Sequence, residues 1–207
     1  MALNSLKLKP ETTMRQFLLF FLFLASFRIA YAQSTVPGYY LSNNNDSIVT
    51  QIEIPRSLFG VDLSKLLLKV EIVDSINGNQ KFKPKDIKGF GFLYKEKNYI
   101  FFSKPTITEN NFRFLEPFIL GPKTSIYLFN TVDQNGRPLG TFYTFEKADG
   151  SYTFFSTGAL SLKKVREALK EFYKDYPDVQ QLIDARFQQK PSLKFDIIAI
   201  AEAVNRS

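Results

Sequence analysis

The hydrophobic period changes once along this chain, near Gly158, and that change restricts the fold more than any other feature. Upstream of it, apolar residues alternate between closely spaced turn signals. Those signals are Asn43-Asn44-Asn45-Asp46, Asn77-Gly78, Lys95-Glu96-Lys97-Asn98, Asn135-Gly136 and Asp149-Gly150. Asn-Gly and Asp-Gly tolerate the positive φ that tight hairpins need. The runs between them are rich in β-branched and aromatic residues and predict strands over 38–42, 47–54, 68–75, 80–83, 89–94, 99–104, 112–120, 125–130, 140–147 and 151–156. Ile48, Thr50, Ile52 and Ile54 share one face. Phe90, Phe92 and Tyr94 share another, with Gly89, Gly91 and Leu93 opposite. Short strands joined in series by hairpins predict an antiparallel sheet, sandwich or open barrel.

Downstream the spacing is three or four. Leu162, Val165, Leu169, Phe172, Tyr173 and Tyr176 form one helical stripe, and Ser161 is placed to cap it. Pro177 suits the first turn of a second helix carrying Val179, Leu182, Ile183 and Phe187. Pro191-Ser192 opens a third, lined by Leu193, Ile197, Ile200, Ala201 and Val204. Glu167–Lys170 and Glu171–Lys174 are spaced to pair on the solvated side. The expected architecture is therefore one α+β domain over 33–207, strand-rich over 38–157 and helical over 161–206, with the three helices packed on the sheet.

The N-terminus carries an address. Phe17 to Phe27 is uncharged and apolar, Arg15 precedes it, and Ala30-Tyr31-Ala32 follows. A basic start, a short apolar run and a small-x-small site are the parts of a secretory signal peptide. The run is too short for the roughly 20 apolar residues of a membrane-spanning helix. Residues 1–32 are read as the signal, with cleavage between Ala32 and Gln33. Met14 is the expected true start, because residues 1–13 have no place in that plan. The chain has 27 Lys+Arg against 20 Asp+Glu, a formal charge of +7. Removing residues 1–32 takes away four basic residues and one acidic one, so about half of the basicity belongs to the address. The expected location is the periplasm, the outer membrane or the medium, with no membrane-spanning segment after cleavage. Polyanions there are envelope components, and nucleic acid is not an expected partner.

His, Cys and Trp are all absent. Without imidazole there is no Ser-His-Asp or Cys-His nucleophile, and without thiol there is no disulfide or thiolate metal site. No cofactor and no metal are expected. Ser161-Leu162-Lys163-Lys164, Lys123-Thr124-Ser125 and Ser42-Asn43-Asn44 resemble fragments of penicillin-recognising serine enzymes, but in the wrong order. Asp133-Gln134-Asn135-Gly136 lacks the acids a calcium loop needs at 131 and 142. Carboxylates remain as the acid–base apparatus. Glu116 is the catalytic candidate, because Phe114, Leu115, Pro117 and Phe118 surround it and burial would raise its pKa. The competing reading is an outward-facing strand residue beside an edge proline.

Residues 81–104 interleave seven lysines with seven aromatics and only two acids. Basic surfaces with interleaved aromatics hold polyanions, and Lys81, Lys83, Lys88, Tyr94, Lys95 and Tyr99 are the candidate ligand residues. The competing reading puts the lysines in turns and the aromatics in the core. The many phenylalanines also admit an apolar ligand cavity. Asp46-Ser47-Ile48 and Asp74-Ser75-Ile76 match a short O-glycosylation pattern, making Ser47 and Ser75 candidate acceptors.

Gly38-Tyr39-Tyr40-Leu41 with Asn45-Asp46, the Lys83–Phe90 segment (K-P-x-D-I-x-G-F), Gly121 to Leu128 (a G-x-x-x-x-L-Y-like stretch with Ile126-Tyr127-Leu128 in place of L-Y), Asp175-Tyr176-Pro177 and a last helix ending near Asn205 form a recognisable series. Over 38–205 the chain resembles a group of exported Bacteroidota proteins to which no activity is attached. That resemblance implies an envelope protein and carries over no catalytic residue. Tyr176 stands where the group usually has Cys. The functional expectation is a non-enzymatic envelope module that binds a partner protein, a polyanion or an apolar ligand. A carboxylate-dependent hydrolase of envelope glycan and a lipid carrier are the alternatives. Exported with its leader, the protein should begin at Gln33 when its N-terminus is sequenced. An uncleaved N-terminus would overturn the address.

Overall fold

The computed structural model describes residues 35–57, 60–74, 78–106, 110–132, 138–156, 161–188 and 192–207. The signal segment with Met14, Ala32 and Gln33, the acceptor candidate Ser75, and the Asp133–Gly136 turn lie outside the described residues.

Among the described residues, twelve strands precede three α-helices. The strands are β1 (Thr35–Leu41), β2 (Ser47–Glu53), β3 (Arg56–Ser57), β4 (Gly60–Val61), β5 (Val70–Asp74), β6 (Gly78–Phe82), β7 (Gly89–Tyr94), β8 (Lys97–Pro105), β9 (Phe112–Ile119), β10 (Thr124–Val132), β11 (Pro138–Lys147) and β12 (Tyr152–Ser156). The helices are α1 (Leu162–Phe172), α2 (Pro177–Ala185) and α3 (Leu193–Arg206). Ten strands pair antiparallel in the order β12-β11-β10-β9-β8-β7-β1-β2-β5-β6, and β3 and β4 form a separate small ladder. The α+β architecture with helices on an antiparallel sheet is as the periodicity predicts.

One expected strand is shortened. The predicted strand at 68–75 begins only at Val70, because Leu63–Leu67 winds into a short 3-10 helix. The Asp62 carboxylate accepts the Ser64 N–H at 3.2 Å and starts it. Leu66 is driven into the core while Leu68 is left exposed. At the β7–β8 hairpin, Lys95 and Glu96 both take positive φ, 48° and 63°, as a two-residue hairpin loop requires.

β9 belongs to two pairings in succession. Phe112 to Leu115 face β8, and Glu116, Pro117 and Ile119 face β10. The hand-over falls between Leu115 and Glu116; Pro117, the next residue, has no N–H to donate, and the register slips opposite it between Ile126 and Tyr127. The ten strands turn a corner here. In a flat sheet β8 and β11 would stand about three spacings of about 4.8 Å apart. Instead the Thr144 hydroxyl of β11 donates to the Pro105 carbonyl of β8 at 3.0 Å, and Lys104 Nζ lies 2.7 Å from Glu146 Oε1. The end of β8 is folded over β10 and β11. Leu115, Tyr127 and Phe129 fill the angle, with Phe102, Phe142 and Leu67 against them.

Two larger cores flank that angle. The first half of the sheet and the 3-10 helix enclose Ile52, Leu66, Val70, Ile72, Phe90, Phe92, Phe101 and Phe114. Phe90 stacks on Phe101 and meets Phe114 edge-on, each at 4.9 Å between centroids. The second half carries the helices. Val165, Leu169 and Tyr173 of α1 and its exit, Val179, Ile183 and Phe187 of α2 and its exit, and Leu193, Ile197, Ile200, Ala201 and Val204 of α3 bury the three stripes against Ile126, Tyr143, Phe145 and Phe155. On the helices' outer side, Lys174 pairs with Glu171 at 3.2 Å, as spaced. Lys170 instead crosses to Asp184 of α2 at 2.7 Å, and Glu167 turns back to Lys163 at 3.9 Å.

Polar clamps hold the helices in place. Asn205 Oδ1 accepts the Lys123 and Thr124 N–H groups at 3.0 and 2.9 Å, and its Nδ2 donates to the Thr124 carbonyl at 3.1 Å. The turn entering β10 thus borrows its hydrogen bonds from α3. Gly121 makes room: a Cβ there would sit 2.1 Å from the Asn205 amide nitrogen. At the other end of α3, the buried Asp196 accepts the Phe187 N–H at 3.0 Å and the Ser192 hydroxyl at 2.8 Å. Those bonds hold Phe187 in a left-handed conformation, φ 55°.

Gly121→Ala displaces the Asn205 amide and should lower stability by about 2–4 kcal/mol, and Asn205→Ala by a similar amount, because it strands two backbone N–H groups. Calorimetry should read each as a fall in Tm of about 4–16 °C. Because both act through one clamp, the double variant should lose less than the sum of the two. Tyrosine ionisation gives a second check. Burial raises the Tyr127, Tyr143 and Tyr173 hydroxyls above their ordinary range. Tyr127 is raised further by the Glu146 charge, and Tyr173 further by Tyr176 against the opposing Thr124 hydrogen bond. The unfolded chain therefore loses these protons before the folded one does. That part of the stability is complete below about pH 10 and declines as pH rises above it. Absorbance titration should show three tyrosines ionising later than a free phenol, with the loss of fold.

Candidate functional site: a lysine-lined groove

The turn before β7 is built around one carboxylate. Asp86 Oδ2 accepts the Lys83 N–H at 2.7 Å, and the Asp86 N–H returns to the Lys83 carbonyl at 2.9 Å. Asn43 Nδ2 donates to the Asp86 carbonyl at 3.2 Å, and the Ser103 hydroxyl donates to the Pro84 carbonyl. The Lys-Pro-Lys-Asp loop is held rigidly from both sides, with the Lys83 and Lys85 side chains free to project.

That loop forms one wall of a groove of about 660 Å³. The 3-10 helix and its exit supply the opposite wall with Lys65, Leu68 and Lys69, and the entry to β9 supplies Asn110, Asn111 and Phe112. Four lysines face a single carboxylate, Asp86, one oxygen of which is committed to the loop. Lys85 Nζ lies 5.3 Å from the centroid of the Phe112 ring. Lys83 and Lys85 have no ion-pair partner among the described residues. Lys65 is 3.8 Å from Asp62, and Lys69 is 2.7 Å from Glu71.

Two smaller hollows continue the groove. One, of about 450 Å³, shares Pro84, Lys85 and Phe112 and adds Asn43 and Lys88. The other, of about 260 Å³, shares Lys65 and Lys69 and reaches Arg56, Glu53 and Glu71. The ends differ electrostatically. Glu53 and Glu71 stand directly opposite in register on β2 and β5, and Lys69 and Lys81 contact Glu71 at 2.7 and 3.3 Å. The Lys69 hydrogen bond leads in holding the Glu71 carboxyl below the usual range. That end neutralises itself, and uncompensated charge collects at Lys83 and Lys85.

Of the residues singled out in the sequence, Lys83 lines the groove and Lys88 the hollow beside it, where its Nζ lies 2.6 Å from Asn45 Oδ1. Lys81 lies on the edge strand β6 and is paired with Glu71. Tyr94, Lys95 and Tyr99 sit at the opposite end of the β7–β8 hairpin, about 20 Å from Lys88 along six strand residues. There Lys95 lies over Tyr94, and Tyr99 stacks on Phe92 at 5.1 Å. One stretch of sequence therefore divides between two places, and Lys65, Lys69 and Lys85 complete the site from outside the candidate set.

Glu116 is not part of the groove. It lies half-buried opposite Leu128, where β9 passes from one pairing to the next, so its strand is interior and Pro117 marks a corner rather than an edge. Ser161 is a helix cap: its hydroxyl accepts the Lys164 N–H at 3.3 Å. Thr124 spends its hydroxyl on Tyr173 at 2.7 Å and on the Glu146 carbonyl at 3.0 Å. Ser47 is exposed at the start of β2. Among the described residues no group of three or more Asp or Glu is arranged to hold a metal ion. Nor is any helix among them long and apolar enough to cross a membrane. No protein-family model, no curated protein and no solved structure matches the chain.

Proposed function

We propose that this protein is a non-enzymatic binding module of the cell envelope, and that the groove between the 3-10 helix and the Lys83–Asp86 loop is its anion site. The observation that carries this reading is the pair Lys83 and Lys85, held on a rigid loop beside Lys65 and Lys69 and facing one committed carboxylate. Lys65 and Lys69 are balanced by Asp62 and Glu71, whereas Lys83 and Lys85 have no ion-pair partner among the described residues, and an anionic ligand supplies one. The N-terminal address supports an envelope location, where anionic phospholipids, lipopolysaccharide and acidic glycans are the available polyanions.

The test is retention on immobilised heparin, used as a general polyanion. Lys83→Ala/Lys85→Ala should elute at clearly lower salt than the parent, with an affinity loss of about tenfold for two contacts of about 0.7 kcal/mol each. Lys163→Ala/Lys164→Ala on α1 changes the net charge equally, away from the groove, and should elute close to the parent. Equal shifts for the two pairs would reduce the binding to overall charge and remove the groove from the reading.

A further inference from the structure

We infer that the groove takes an acidic polysaccharide lying lengthwise, with its charged groups on the lysines and its sugar rings on the apolar wall. This rests on the anion site proposed above and names its ligand class. The first observation is continuity. The three hollows form a file, joined at one junction by Lys65 and Lys69 and at the other by Pro84, Lys85 and Phe112. A single small anion occupies one hollow, whereas a chain with repeated charges follows the file from Lys88 past Lys85 and Lys83 and stops at the self-neutralised hollow of Glu53 and Glu71.

The second observation is the wall between the charges. Phe112, half-buried, and Leu68, 56% exposed, present apolar surface within the groove over the buried Pro84. Naked polyphosphate has no use for that surface. A pyranose ring has an apolar C–H face that packs on an aromatic or proline ring and hydroxyls that need hydrogen-bond partners. Asn110 and Asn111, whose amides can both donate and accept, line the same groove. The third observation is the type of cation. The central charges are lysines, point charges on flexible stems that follow carboxylates spaced by a sugar ring without the fixed fork of an arginine.

Calorimetric titration of the full chain with oligogalacturonates of increasing length tests this, beside polyphosphate of matched charge number and phosphatidylglycerol vesicles. Oligogalacturonate affinity should rise with length and then level off once the file is filled, and should exceed that of polyphosphate at equal charge. Phe112→Leu keeps the bulk and removes the ring. It should weaken oligogalacturonate binding by about fivefold while leaving polyphosphate binding unchanged. Leu68→Ser, at an exposed position, provides a second variant that spares the core and should act in the same sense. If polyphosphate binds as well as the sugar acid, and neither variant separates the two, the glycan assignment fails and the anion site stands. Vesicle binding that depends on Leu68, without oligogalacturonate binding, overturns it in favour of a membrane surface. If none of the three probes binds, both the assignment and the anion site fail.

Discussion

The structure depends on a single strand serving two partners. β9 gives its first half to β8 and its second half to β10, and the change of partner turns the sheet through a corner. Everything else is positioned by that corner. It brings Lys104 onto Glu146 across two intervening strands and leaves one face of β10–β12 free for the helices. Lys104 and Glu146 are largely desolvated, with side chains 18% and 25% exposed. Such a pair contributes less through attraction than through the penalty of leaving either charge without the other. It is therefore a device for holding the angle, reinforced by the Tyr127 ring under the ammonium at 4.7 Å.

Much of the backbone plan was legible, and for a plain reason. Hairpin turns need residues that tolerate positive φ, and half-buried strands need a period of two, so both leave local marks. The helical stripes were equally plain, and every apolar position assigned to α3 is buried. Five residues of 3-10 helix are too few to show a period. Leu66-Leu67-Leu68-Lys69-Val70 reads as the approach to a strand, and the Asp62 cap is one carboxylate among twenty. The corner left a mark that pointed the wrong way. A proline inside a strand signals an edge or a bulge, and the apolar neighbours of Pro117 satisfy both readings.

The site was half legible. Charge density singles out residues 81–104, and of these Lys83 and Lys85 line the candidate groove. A linear window cannot tell that a hairpin carries its two ends far apart, so it joins Tyr94, Lys95 and Tyr99 to Lys83 and Lys88 at the other end. Nor can it bring in Lys65 and Lys69, which arrive through the packing of Leu66 into the core. Glu116 shows the same limit: an acid among apolar neighbours in sequence was placed where a sheet changes direction, away from the groove.

The Asn205 clamp has a consequence for how the chain is made. The turn entering β10 leaves two backbone donors to be satisfied by a side chain 81 and 82 positions later. At a synthesis rate of about 5–20 residues per second, α3 follows that turn by about 4–16 s. During that interval β10 lacks the cover of α3, and the core around Ile126 is incomplete. The second half of the sheet is thus completed only once α3 has been made.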